Sequence, residues 1–153
     1  MKKVLLLGLA IGLILLSVPA LLCTAMLWIP QIITNAKLNA FADQLFDYPL
    51  PEQTRVVSRD KWVGLTGNSN HCDYFVGQTI ETALPLADIK RYYADVTFLP
   101  PGGRNEGMEP NYQTAPITPD ILANGKTMGD GHQQVSIILA SLGHSPGLDI
   151  RCH

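Results

Sequence analysis

From Val4 to Ile29 the chain runs 26 residues without one charged side chain, whereas a helix needs only about 20 residues to cross a hydrocarbon core of roughly 30 Å. This stretch predicts a membrane-spanning helix, with the lipid bilayer as its partner through residues 4–29. Lys2 and Lys3 precede it and the next charged residue is Lys37, so the cationic flank keeps the N-terminus in the cytoplasm and sends the rest of the chain outside. Trp28 suits the outer interface, where an amphipathic ring is favoured. The competing reading is a cleaved signal peptide, with Lys2 and Lys3 as basic region, Val4 to Leu16 as apolar region and Val18-Pro19-Ala20 as cleavage site. The apolar run continues through Leu21, Leu22, Met26, Leu27, Trp28 and Ile29, which favours the anchor. Leu22 is bulkier than the residue expected before a lipid-modified cysteine, so Cys23 reads as a small apolar residue in lipid.

With the anchor set aside, about 120 residues remain, enough for one compact domain. The whole chain carries eleven Lys/Arg and thirteen Asp/Glu. Without Lys2 and Lys3 the outer part holds nine against thirteen, a formal charge of −4. That acidity excludes nucleic acid as a partner, which selects clustered Lys/Arg. The sequence has no Gly-rich phosphate loop, nucleophile elbow or His-Glu-x-x-His, so no cofactor and no catalytic residue is assigned.

The outer part reads as follows. Past Pro30, Leu38, Phe41 and Leu45 share a helical face widened by Ile33 and Phe46, predicting a short juxtamembrane helix. Tyr48-Pro49-Leu50-Pro51 ends it, because proline lacks a backbone donor and pushes the preceding residue out of the α region. Thr54–Thr66 and Asp73–Thr82 read as two strands of a hairpin around the turn-forming cluster Gly67-Asn68-Ser69-Asn70. In the second strand Tyr74, Val76 and Ile80 lie on one face, broken by Gln78, with Phe75, Thr79 and Glu81 on the other. Leu84-Pro85 starts a helix whose Leu86, Ile89, Tyr93 and Val96 face the sheet. Gln134–Leu142 reads as a central strand, and Leu148, Ile150 and Cys152 alternate on a last strand with Asp149 and Arg151 pointing the other way.

Between Pro100 and Gly131 regular pattern vanishes, with five prolines and six glycines in 32 residues. A structureless loop of that length inside a compact domain is uncommon and is either an insertion or functional. Its polar residues Arg104, Glu106, Glu109, Asn111, Tyr112, Asp120, Asp130 and His132 are candidates for a partner site. Among them Arg104, Glu106, Glu109, Tyr112, Asp120 and His132 are singled out.

Two cysteines lie outside the anchor, Cys72 and Cys152. In an oxidising compartment such thiols pair. With Cys72 at a strand entrance and Cys152 on a neighbouring strand, a disulfide would close a loop of about 80 residues and contribute roughly 4 kcal/mol on the chain-entropy model. Zinc is the sharper alternative, drawing on His71, Cys72, His144, Cys152 and His153, although their spacing contains no Cys-x-x-Cys or His-x-x-x-His pair. A third reading pairs Cys72 as nucleophile with His144 or His153, Asp73 orienting the base.

The order of pieces carries a resemblance. An anchor followed by Pro49 to Thr54, Gly67 to Phe75, Leu84 to Tyr93 and the closing Leu148 to His153 resembles a family of small bacterial single-pass membrane proteins with no known activity. In that pattern the positions of Cys72 and Cys152 are usually not cysteine, which implies a paired addition rather than an essential site. The resemblance implies location and build, and no reaction.

The expected fold is α+β: an N-terminal transmembrane helix (1–30), a juxtamembrane helix and linker (31–51), and an extracytoplasmic domain (52–153). That domain is a mostly antiparallel sheet of four or five strands with one packed helix, carrying the Gly/Pro-rich loop at 100–133. The expected function is a noncatalytic binding module with an envelope protein as partner. The alternatives are a Cys/His enzyme or zinc protein built on His71, Cys72, His144 and Cys152, and a small accessory subunit of a membrane complex, with Gly8, Gly12 and Ser17 admitting a second helix.

Overall fold

The computed structural model describes residues 2–68, 70–102, 117–127 and 131–153, the side chains of 2–11 and 124–127 excepted. The fold is α+β. Helix α1 (Lys2–Phe46) is followed by strands β1 (Thr54–Gly64) and β2 (Cys72–Thr82), helix α2 (Leu86–Tyr92), strands β3 (Asp120–Thr127) and β4 (Gln133–His144), and a 3-10 turn at Ile150–Cys152. The strands form one antiparallel sheet in the order β1-β2-β4-β3, so the β1–β2 hairpin is present and β4 is internal.

Helix α1 has two halves with different surroundings. Its first half is apolar and bare: Leu13 to Leu16, Leu21, Leu22 and Met26 to Ile29 are largely exposed. Ser17 and Thr24 donate their hydroxyls back to the carbonyls of Ile14 and Ala20, so these polar groups ask nothing of an apolar surrounding. Pro19 and Pro30 lie inside the helix, which continues through both. The second half covers the sheet. Thr34, Leu38, Phe41, Ala42 and Leu45 are buried, a helical spacing that turns one stripe inward. Ile33, expected on that stripe, is half exposed. The juxtamembrane helix expected past Pro30 is present as the continuation of the apolar helix, and it also supplies core.

One face of the sheet meets α1 and α2. Tyr74, Val76 and Ile80 of β2 and Val135, Ile137 and Leu139 of β4 are buried there, with Ile89 and Tyr93 from the α2 region. Period-two alternation puts these residues on one side. The sheet's other face carries Trp62 against Phe75, ring centroids 5.4 Å apart. Gln78 interrupts the apolar row and is buried, its side-chain oxygen accepting from Arg59 Nε at 3.1 Å. Arg59 also donates to the carbonyl of Phe46 at 2.6 Å and lies over its ring, which fixes the end of α1 to β1. Beyond that end Tyr48 nests among Tyr92, Tyr93 and Phe98 at centroid distances of 5.7 to 6.1 Å.

Two expectations fail. The Gly/Pro-rich stretch is not pattern-free throughout: Phe98 and Ile117 form an isolated bridge, and residues 120–127 make the edge strand β3 on β4. Asn124 and Gly125 hide that strand in the sequence, and they fall where the β3–β4 register slips between Ala123 and Thr127, an irregularity of the kind glycine marks in strands. Likewise the last residues are no strand. Asp149 caps the 3-10 turn by accepting the Arg151 backbone N–H at 3.1 Å, a competition with sheet pairing that aspartate side chains often win. The expected alternation is therefore broken: Asp149 is buried with Cys152, and Leu148 and Ile150, expected on the same face as Cys152, are exposed.

Two substitutions separate packing from polar cost. Phe41→Ala removes a fully buried ring and is expected to cost about 3 to 5 kcal/mol. Tyr93 is buried with no hydrogen-bond partner for its hydroxyl among the described residues, and burial, followed by Tyr92 and Tyr48, pushes its phenol up to about 12. Tyr93→Phe is therefore expected to be neutral or stabilising by up to about 1 kcal/mol. Urea unfolding of the full chain in detergent micelles, followed by near-UV circular dichroism, checks both.

Candidate functional site

The chain's polar chemistry gathers at the end of the sheet nearest the apolar half of α1. There β1 ends, β2 begins and β4 finishes, and the register between β2 and β4 slips between Cys72 and Tyr74. Cys72 pairs with His144 but Tyr74 pairs with Ser141, so β4 carries an extra residue opposite Asp73. Gly143 sits in this bulge at φ 75°, a conformation that glycine adopts freely. Its N–H donates to Asp73 Oδ1 at 2.9 Å.

Asp73 is fully buried and draws the surrounding segments together. Its Oδ2 accepts from the Thr66 backbone N–H at 3.0 Å, from the Thr66 hydroxyl, and from His71 Nε2 at 3.0 Å. Burial pushes the carboxyl up, but the Thr66 hydroxyl, the Gly143 and Thr66 amides and the His71 ring outweigh it and hold the carboxyl below its ordinary 3.8. A charged, buried carboxylate with this many donors is a satisfied structural group. It joins the β1–β2 turn to the end of β4.

Beside it Cys72 and Cys152 form a disulfide, both buried, with Cα atoms 4.8 Å apart. The pairing expected from the sequence is present, although the second cysteine reaches it from a 3-10 turn and not from a strand. One residue earlier, Arg151 holds the turn in place. It donates to Asp149 through Nε at 2.9 Å and Nη2 at 2.6 Å, to Asn35 Oδ1 through Nη1 at 2.8 Å, and to the Gln31 carbonyl at 3.5 Å. Asp149 is held below its ordinary value by the Arg151 side chain, against burial, with Thr34 adding a hydrogen bond. The C-terminus is thus fastened twice, to β2 by sulfur and to α1 by a guanidinium.

The other candidates fall in different places. His71 orients on Asp73, and His144 lies 2.6 Å from the hydroxyl of Ser141, with its ring edge-on to Tyr74. Ser141 is fully buried, so no substrate reaches that hydroxyl. His153 contacts the Gly147 carbonyl at 3.2 Å and is exposed. Both thiols that the zinc and nucleophile readings require are consumed by the disulfide, and no group of three His, Cys, Asp or Glu among the described residues is arranged to hold a metal ion.

Of the loop candidates, Arg104, Glu106, Glu109 and Tyr112, together with Asn111, lie outside the described residues, as does Asp130. Asp120 is exposed at the start of β3, opposite Ile138. His132 is half-buried at the far end of the sheet, in an open groove of about 540 Å³ with Gln53, Thr54, Arg55, Glu81 and Ala83. Arg55 is paired there with Glu81 at 2.8 Å. The structure therefore does not bring Asp120 and His132 into one described site. The Asp149–Arg151 clamp was missed by sequence reasoning, although an acid and a base two residues apart are a legible signal for a capped turn.

No protein-family model, curated protein or solved structure matches the chain, so the functional reading rests on geometry and sequence.

Two measurements test this end of the sheet. Asp73→Asn places an amide against groups that all donate and is expected to cost about 2 to 3 kcal/mol. The folded carboxyl lies below the unfolded 3.8, so its stabilisation is complete above that pH and is lost as pH falls through the folded value. The acid limb of the stability profile should flatten in the variant, Asp149 contributing what remains. Replacing Cys72 and Cys152 together by serine opens an 80-residue loop and should lower stability by about 4 kcal/mol. In the native chain, alkylation without reduction should leave both unmodified on a peptide map.

Proposed function

We propose that this protein is a membrane-anchored, noncatalytic interaction module whose sheet unit stands outside the cytoplasm. The observation that carries the reading is the continuity of α1. Its bare apolar half, long enough to cross a bilayer, runs without a break into the half that covers the sheet. A signal sequence passes the same test of length and composition, but a peptidase cut after Ala20 would leave Leu21 to Ile29, mostly exposed apolar residues, in water. The Lys2-Lys3 flank supports an outside-facing C-terminus, and the disulfide supports an oxidising surrounding. The resemblance to small bacterial single-pass membrane proteins agrees with this reading.

Noncatalytic binding is favoured because the polar groups at the base of the sheet are engaged with one another. Asp73, Asp149 and the two cysteines are buried and committed to structural partners. Residues 103–116, with Arg104, Glu106, Glu109 and Tyr112, are the proposed contact for an envelope protein. Residues 120–127 form β3, so a clean test excises 103–116 and leaves the edge strand.

Intact cells carrying the chain with a C-terminal tag test the arrangement. The tag should react with a membrane-impermeant reagent, and the chain should stay with membranes through an alkaline wash. A soluble product beginning near residue 21 would replace the anchor with a signal peptide, and a tag reached only after permeabilisation would reverse the orientation. Photocrosslinking from positions 104 and 112 should yield a discrete protein adduct, and its persistence after excision of 103–116 in a chain crosslinked elsewhere would remove the loop from the interface.

A further inference from the structure

Arg151 fixes the height of the C-terminal turn relative to the bilayer. Contacts along α1 descend step by step toward its apolar half: Arg59 and Lys61 of β1 meet Phe46 and Asn39 Oδ1, and Arg151 of the C-terminal turn meets Asn35 and Gln31. At 1.5 Å per helical residue, Gln31 and Asn35 lie about 3 and 9 Å beyond Ile29. The polar interfacial layer is about 5 to 7 Å deep on each side of the hydrocarbon. With Ile29 at the hydrocarbon edge, the Gln31 contact of Arg151 lies within that layer and the Asn35 contact just above it, so the turn sits at the layer's outer boundary.

The same turn exposes two large apolar side chains, Leu148 at 69% and Ile150 at 60%. They face outward because Asp149 and Cys152 take the inner positions, one capping the turn and the other forming the disulfide. The Asp149 carboxylate does not oppose insertion, since it is buried against Arg151. Leu142, just before the end of β4, is also about half exposed. The helix surface at this level is apolar too, with Ile32 and Ile33 exposed.

We propose that the turn carrying Leu148 and Ile150 is a second membrane contact, inserting these side chains into the interface of the leaflet through which α1 leaves, and so seating the sheet unit on the bilayer. The proposal rests on the anchored reading above. Its occupant is the lipid surface itself, specified by the continuity of the turn with the spanning helix. A helix alone lets the domain tilt and swing about its exit point. An apolar contact bolted to α1 at the level of Gln31 to Asn35 fixes which face of the sheet unit meets the membrane and which end, with the His132 groove, stands away from it.

Depth-dependent quenching tests the proposal in the full chain reconstituted in phosphatidylcholine vesicles. In a Trp28→Phe, Trp62→Phe background, single tryptophans are introduced as Leu148→Trp, Ile150→Trp, Leu22→Trp and Ala83→Trp, all at exposed positions. Phospholipids brominated near the headgroup end of their acyl chains should quench Leu148→Trp and Ile150→Trp by about twofold or more, with blue-shifted emission, as befits burial in the headgroup–acyl boundary. Leu22→Trp should be quenched and Ala83→Trp should not. Unquenched signals from both turn positions beside a quenched Leu22→Trp would overturn the proposal and leave the anchor standing. An unquenched Leu22→Trp would overturn the anchor and the proposal together.

Discussion

A four-stranded sheet with an apolar face needs something to lie on it, and in this protein that cover comes largely from the helix that begins as the apolar N-terminal segment. Leu38, Phe41, Ala42 and Leu45 close over the β2 and β4 side chains, so the hydrophobic contact that stabilises the sheet unit also ties it to the apolar helix. The helix runs through Pro30 and joins the two parts there, and removal of residues 31–46 would uncover the core. Arg59 over Phe46, Gln44 exchanging hydrogen bonds with Leu99, and Lys61 on Asn39 keep the helix in register on its bed. Burial of apolar area supplies the energy, and these polar pairs set the alignment.

The end of the sheet nearest the apolar helix is organised differently, by buried charge and sulfur. Asp73 gathers the β1–β2 turn and the β4 bulge around one carboxylate, the disulfide secures the last residues to β2, and Arg151 secures them to α1. Each group is expensive to bury alone and is retained with its partners in place. In this arrangement the adjacent His71, Cys72 and Asp73 are held in a hydrogen bond and a disulfide. Asp73, read as the orienter for His144 or His153, is instead bonded to His71, and the Cys72 thiol is in the disulfide.

Much of the fold was legible because its signals are local. The uncharged run, the Gly67–Asn70 turn, the alternation of β2 and β4, and the Leu86–Ile89–Tyr93 spacing each depend on near neighbours in sequence, where periodicity reports which face is buried. The cysteine pair was legible by count. The readings that failed lie where a tertiary partner outweighs local preference. Asn124 and Gly125 fall where the β3–β4 register slips between Ala123 and Thr127, so β3 is held on β4 by the pairs on either side of them. Leu148 and Ile150 alternate as a strand would, yet the Asp149 cap and the pull of Arg151 toward Asn35 wind them into a 3-10 turn.

The sequence by itself determined a long apolar helix, an antiparallel α+β unit after it, and a pairing of Cys72 with Cys152, because hydrophobic period and residue count suffice for those. Only the tertiary structure decided that α1 is one helix from the apolar segment to the core, that Asp73 is a buried structural hub, and that the C-terminus turns its apolar residues outward. Those outcomes depend on contacts between residues up to 120 positions apart, as between Arg151 and Gln31, and no local pattern encodes which of two distant groups will meet.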